Sequence, residues 1–125
     1  MDMKKIDNYF EQLSNTFAAE YFKRTHIYKI ERVNPEDKSV LAIAFKSENP
    51  GKFNCVTKKL LRIYPNTVKP HHLLVDEVWI GFDGDGSPWS DHMGGKDIDC
   101  TGMTFQSSID HVIKEIVIHF NHLMK

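Results

Sequence analysis

The sequence predicts an α+β fold: a single domain in which an antiparallel sheet of about four strands carries flanking helices. Three observations predict it. Apolar residues recur at helical spacing at both ends of the chain. Between those ends lie runs rich in β-branched and aromatic residues, the pattern of strands. No Pro/Gly/Ser-rich linker, internal repeat or low-complexity segment divides the 125 residues, so no domain boundary is placed.

Residues 3–23 read as an amphipathic helix, because Ile6, Phe10, Leu13, Phe17 and Tyr21 recur at steps of three and four. Tyr9 and Phe22 widen the stripe, and Asp2 is the N-cap candidate. A hairpin follows. Its strands are 26–33 and 40–45, and Asn34-Pro35-Glu36-Asp37 makes the turn. In 49–64, Phe53, Val56, Leu60 and Ile63 fall at helical spacing. Asn49-Pro50 resembles a helix start and Pro65 a stop, so this segment is expected to be a helix, with a strand over 55–63 as the alternative.

Residues 73–82 give the strongest strand. Both of its faces are partly apolar, with Asp76 and Glu77 as exceptions, which suits a central strand or one bearing a binding surface. A Gly/Asp/Ser-rich loop over 83–96 and a short strand over 98–105 are expected next. The last helix is capped by Ser107 or Ser108 and has Ile109, Val112, Ile113, Ile116, Val117, Phe120, Leu123 and Met124 on one face. The predicted order is α-β-β-α-β-β-α.

Composition narrows the function. Hydrophobic residues make up 41% and charged residues 26%, the balance of a globular chain and not of a disordered one. The formal net charge of −1 argues against a broad phosphate-binding field, so nucleic acid is not the expected partner. The basic run Lys58, Lys59, Arg62, with Lys52 nearby, reads as a solvated face. No apolar run reaches the roughly 18 residues that span a bilayer, and the opening MDMKKIDNYF lacks the apolar stretch of a secretory signal. The chain is therefore expected in the cytoplasm. Cys55 and Cys100 are expected to be buried thiols there, with a Cys55–Cys100 disulfide as the alternative.

Three groups of residues could carry chemistry. The stretch from Phe82 to His92 begins like a calcium loop, but Pro88 and Gly94 stand where such a loop needs Gly and Glu, so it reads as a turn. Trp89 in that stretch is a natural binding anchor. His111, Glu115, His119 and His122 form one helical stripe, with Ile118 on the same polar face. There is no His-Glu-x-x-His and no Cys/His ligand pair, so the stripe reads as a solvated face. His71, His72 and His92 are weak metal candidates. Cys100 with His92 nearby is a weak nucleophile candidate, and no nucleotide-binding glycine motif is present.

Charge is locally polarised. Lys52, Lys58, Lys59, Arg62 and Lys69 face no acid in their segment. Asp76, Glu77, Asp83, Asp85, Asp91, Asp97 and Asp99 are met only by Lys96. This pattern suits recognition of a protein with a basic surface. The expected function is a small protein-binding domain of inhibitor or immunity type, which occludes a basic site on a toxin or nuclease. Asp83, Asp85, Trp89, Asp91, Asp99 and Trp79 would form the contacts, and no cofactor is implied. Two alternatives stand beside it. One is a metal-dependent hydrolase or nuclease using His71, His72, Asp83, Asp85 and His92. The other is a homodimeric module joined through the last helix.

Overall fold

The computed structural model describes residues 6–21, 27–32, 40–46 and 56–124. The chain runs α1 (Ile6–Tyr21), β1 (Ile27–Arg32), β2 (Leu41–Lys46), β3 (Val56–Pro65), β4 (His72–Phe82), β5 (Pro88–Asp99), α2 (Phe105–His119) and a 3₁₀ turn, Asn121–Leu123. The five strands form one sheet in chain order, every pair antiparallel. The fold is α+β, as the sequence predicts, with five strands among the described residues in place of about four. The proposed caps at Asp2 and Asn49, the turn at Asn34–Asp37, and Phe22, His26, Phe53 and Cys55 lie outside the described residues.

The expected helix over 49–64 is corrected: its described part, from Val56, is strand β3. Apolar residues at 60, 61 and 63 obscure a period of two because both faces of β3 carry them. Leu61 and Ile63 face the helices, while Leu60 shares the other face with Arg62 and Tyr64. Pairing on both sides, to β2 and β4, outweighs local spacing.

The expected loop over 83–96 is corrected too. Only Asp83–Ser87 turns, and Pro88–Asp99 is the edge strand β5. An edge strand needs little apolar character, so its polar sequence reads as a loop. The turn closes with Asp83 N donating to Ser87 O at 2.8 Å and Gly86 N to Asp83 O at 2.9 Å. Gly86 sits at φ +86°, where a side chain would be strained.

The expected strand over 98–105 ends at Asp99, and the chain then turns through Gly102 at φ +77°. The cap of α2 is Thr104, not Ser107 or Ser108: its hydroxyl accepts from Ser107 N at 3.1 Å.

Both helices lie on one sheet face. Tyr9, Phe10, Leu13 and Phe17 of α1 and Ile109, Val112, Ile113 and Ile116 of α2 meet Leu41, Ile43, Phe45, Leu61, Ile63, Leu73, Val75 and Ile98. The register arranges this inner face in rows across the strands: Leu41–Ile63–Val75–Lys96, then Ile43–Leu61–Glu77–Gly94, then Phe45–Lys59–Trp79–Asp91. Going down the rows, apolar residues give way to polar and aromatic ones. The core therefore ends near Glu77, towards the Asp83–Ser87 turn.

Leu61 is fully buried between Ile43 and Glu77. Leu61→Ala is expected to cost about 2–5 kcal/mol. Urea unfolding should show a lower midpoint at an unchanged slope.

Candidate functional site

At the end of the inner face, beyond the apolar rows, Trp79 and Trp89 stand on the same side of the β4–β5 hairpin. Trp89 is opposite Gly81, which has no side chain, and Trp79 is opposite Asp91. They are diagonal neighbours, and both are partly exposed. Lys59 on β3 sits over the Trp79 ring, 4.7 Å from its centroid. The Trp79 indole N–H donates to Glu77 Oε2 at 2.6 Å, and His122 Nε2 meets Glu77 Oε1 at 2.7 Å. The Glu77 side chain is 5% exposed and that of His122 55%, so a buried carboxylate joins an indole on β4 to the C-terminal 3₁₀ turn. Asp83, Asp85 and Asp91 are exposed around this shelf. The Asp85 carboxyl is held below its usual range by hydrogen bonds from Ser87.

A second cluster lies on the opposite sheet face. Asp76 Oδ1 and Oδ2 accept from Arg62 Nε at 2.9 Å and Nη2 at 2.8 Å, and Oδ2 also accepts from Tyr64 at 3.1 Å. His92 Nε2 lies 3.4 Å from the same oxygen. It reaches across Gly95, where an added Cβ would lie 3.8 Å from the His92 ring. Hydrogen bonding to Asp76 raises the Arg62 pKa, and burial followed by the Asp76 charge raises that of Tyr64.

A third cluster closes the far end of the sheet. His72 Nδ1 is 2.7 Å from Asp97 and Nε2 is 3.3 Å from Asp99. Asn66 donates to Asp97 at 3.1 Å. Desolvation opposes ionisation of Asp97, but hydrogen bonds from His72 and Asn66 outweigh it and lower its pKa. A hydrogen bond from Thr101 lowers that of Asp99. Beside them His71 takes φ +62°, and its carbonyl accepts from Cys100 N at 2.9 Å. Cys100 is a buried free thiol, its pKa pushed up to about 11 by burial.

The structure divides the residues singled out from the sequence. Trp79, Asp83, Asp85, Trp89 and Asp91 gather at the turn end of the β4–β5 hairpin. Asp99 is at the other end, opposite His72. His71, His72, Asp83, Asp85 and His92 do not form one centre: His72 and Phe82 bound β4, whose ten steps span roughly 33 Å. His92 is midway, opposite Val78 and directed at Asp76. Among the described residues no group of three or more His, Cys, Asp or Glu is placed to hold a metal ion.

The histidine stripe of the last helix is also broken up. His119 pairs with Glu115 at 2.9 Å, while the chain leaves the helix at Phe120 and turns His122 in towards Glu77. Ile118 remains on the surface, 56% exposed.

Lys59, Glu77 and His122 also belong to the shelf, whereas the sequence reading set them apart in a basic run, an acidic stretch and the histidine stripe. Their one signal was a carboxylate inside the most apolar strand. No family model, curated protein or solved structure matches the chain.

Two outcomes follow from these clusters. Arg62→Ala leaves the buried Asp76 carboxylate short of its main partner and is expected to cost about 2 kcal/mol or more. Arg62→Met with Asp76→Leu should recover most of that loss in urea unfolding. The second outcome concerns Asp97, whose lowered pKa stabilises the fold above the unfolded-state value of about 3.9. That contribution is lost as pH falls through the folded-state pKa. The stability gap between the native chain and Asp97→Asn should therefore be full near neutrality and close under acid, measured by urea unfolding across pH.

Proposed function

We propose that this chain is a protein-binding domain whose contact surface is the turn end of the β4–β5 hairpin. One juxtaposition carries the reading. Two tryptophans share a sheet face just past the helix-covered core, ringed by exposed Asp83, Asp85 and Asp91. Partly exposed indoles supply large contact area at low entropic cost and serve as anchors at protein interfaces. Surrounding carboxylates steer a basic partner and penalise an acidic one.

The partner this chemistry suits has a basic, concave site. The specific form of the proposal is an inhibitor or immunity-type protein acting in the cytoplasm. It would occlude the active site of a toxin or nuclease by bulk and charge. Glu77 and Lys59 would act by positioning, since one fixes the Trp79 indole nitrogen and the other covers its ring. Asp99 is left out of the surface, because it sits with His72 at the far end of the strand. Among the described residues no helix is long and apolar enough to cross a membrane.

The test begins with capture of the protein from its native source and mass spectrometry of bound proteins and metals. With a stoichiometric partner in hand, Asp83→Lys with Asp85→Lys should weaken binding about 10–100-fold and flatten its dependence on salt. Trp89→Ala should speed dissociation. Unchanged affinity in both variants would remove this surface from the interface. Stoichiometric metal with no protein partner would overturn the binding reading.

A further inference from the structure

We infer that two copies of this chain pair through the outer edge of β5, which no other described strand covers, antiparallel about a twofold axis at Met93–Gly94. The proposal goes beyond the partner surface above; the two have Asp91 in common, and the pairing is argued from the sheet edge, the bulge and the register.

Among the described residues the sheet ends at β5, a strand of 12 residues that is largely exposed along its length. A long open edge presents a row of backbone donors and acceptors to a further strand. What that strand is follows from an irregularity. The β4–β5 ladder shifts register between Glu77–Gly94 and Val78–His92, so Met93 is an extra residue on β5. A second β5 carries the same extra residue. Set antiparallel about the bulge, the two strands match two residues against two.

Face parity then restricts the register. On one side of the bulge Trp89 and Asp91 face the helix side, and on the other Gly94, Lys96 and Ile98 do. A slip of one residue would set the helix side against the other face. The register centred on Met93–Gly94 keeps the faces and aligns Asp91 with Lys96 of the second copy, twice by symmetry. A shift of two residues either way keeps the faces only away from the bulge, and it sets Asp91 against Ile98 or Gly94 of the second copy, which loses the charge pair.

The centre fits as well. Met93 is 45% exposed, and an added Cβ at Gly94 meets nothing within 4 Å, so each Met93 would lie beside an open Gly94. Pro88, which lacks a backbone donor, falls at the end of the paired stretch, where that lack matters least. The contact is isologous and closes at two copies, doubling the five-stranded sheet. The Asp83–Ser87 turns lie outside the paired strands, one at each end of the joined edge.

The experiment is sedimentation equilibrium of the full chain up to about 100 µM, a range that detects dimers of micromolar affinity. The native chain should reach twice the monomer mass. Lys96→Asp and Asp91→Lys should each raise the dimer Kd about tenfold or more, because each sets like charges opposite one another. The double variant, Asp91→Lys with Lys96→Asp, restores opposite charges and should recover the native Kd. Far-UV circular dichroism checks that each variant is folded.

A monomer at 100 µM overturns the proposal. So does a dimer indifferent to Lys96→Asp, a double variant as weak as the single ones, or a dimer lost on Ile118→Lys, which would put the contact on the last helix. Asp83→Lys with Asp85→Lys should leave the mass unchanged, so failure of the partner surface and failure of the dimer are read separately.

Discussion

Two adjacent carboxylates on one strand constrain much of this molecule. Asp76 and Glu77 are each 4% exposed, and successive residues of a strand point to opposite faces, so β4 buries an acid on both sides of the sheet. A buried carboxylate is costly unless it is hydrogen-bonded and matched by charge. Each acid therefore dictates its surroundings. Asp76 draws Arg62 and Tyr64 from β3 and His92 from β5 to one point, stitching three strands across the face opposite the helices. Glu77 draws His122 to the sheet and fixes the indole of Trp79. The aromatic shelf, the position of the 3₁₀ turn after α2 and the cross-strand ties thus follow from satisfying two charges.

The same constraint accounts for the charge pattern along the chain. Basic 52–69 and acidic 76–99 look like a polarised surface when laid out in sequence. Folding sets the described parts of them side by side as β3 and the β4–β5 hairpin. Arg62 against Asp76 is then an internal pair, and Lys59 lies on Trp79. Asp97 and Asp99 gather about His72. Asp83, Asp85 and Asp91 stay exposed around the Asp83–Ser87 turn. Much of the apparent polarity is thus used within the sheet, and the acids left exposed without an internal pair lie together at one end.

The two helices and the first two strands were legible because each buries one face, and the spacing of Phe10, Leu13 and Phe17, or of Leu41, Ile43 and Phe45, reports that face directly. β3 was not legible: Leu60 and Leu61 lie on opposite faces, and two-sided burial erases the alternation. β5 was hidden by the opposite circumstance, a strand with so little buried surface that its composition is that of a loop. Of the site, the residues at the turn end were found by type, as tryptophans and acids in one stretch. Glu77 with His122 is a contact across 45 positions, which no local pattern encodes.

β5 shows why a weak local signal and a largely exposed surface coincide here. A strand with two paired edges and an apolar face is fully used by its own fold. Among the described residues β5 pairs with β4 on one side only, is interrupted at Met93, and carries glycines at 94 and 95 that leave space beside Glu77 and under His92. These features contribute little to the core. They do decide what can approach the edge. The bulge allows a strand to continue across only if it supplies a matching residue or leaves Met93 unpaired, and the alternating faces allow only registers that keep the helix side together. Any strand added along this edge is therefore restricted first by where the backbone departs from regularity, and charge would then select among the few registers that remain.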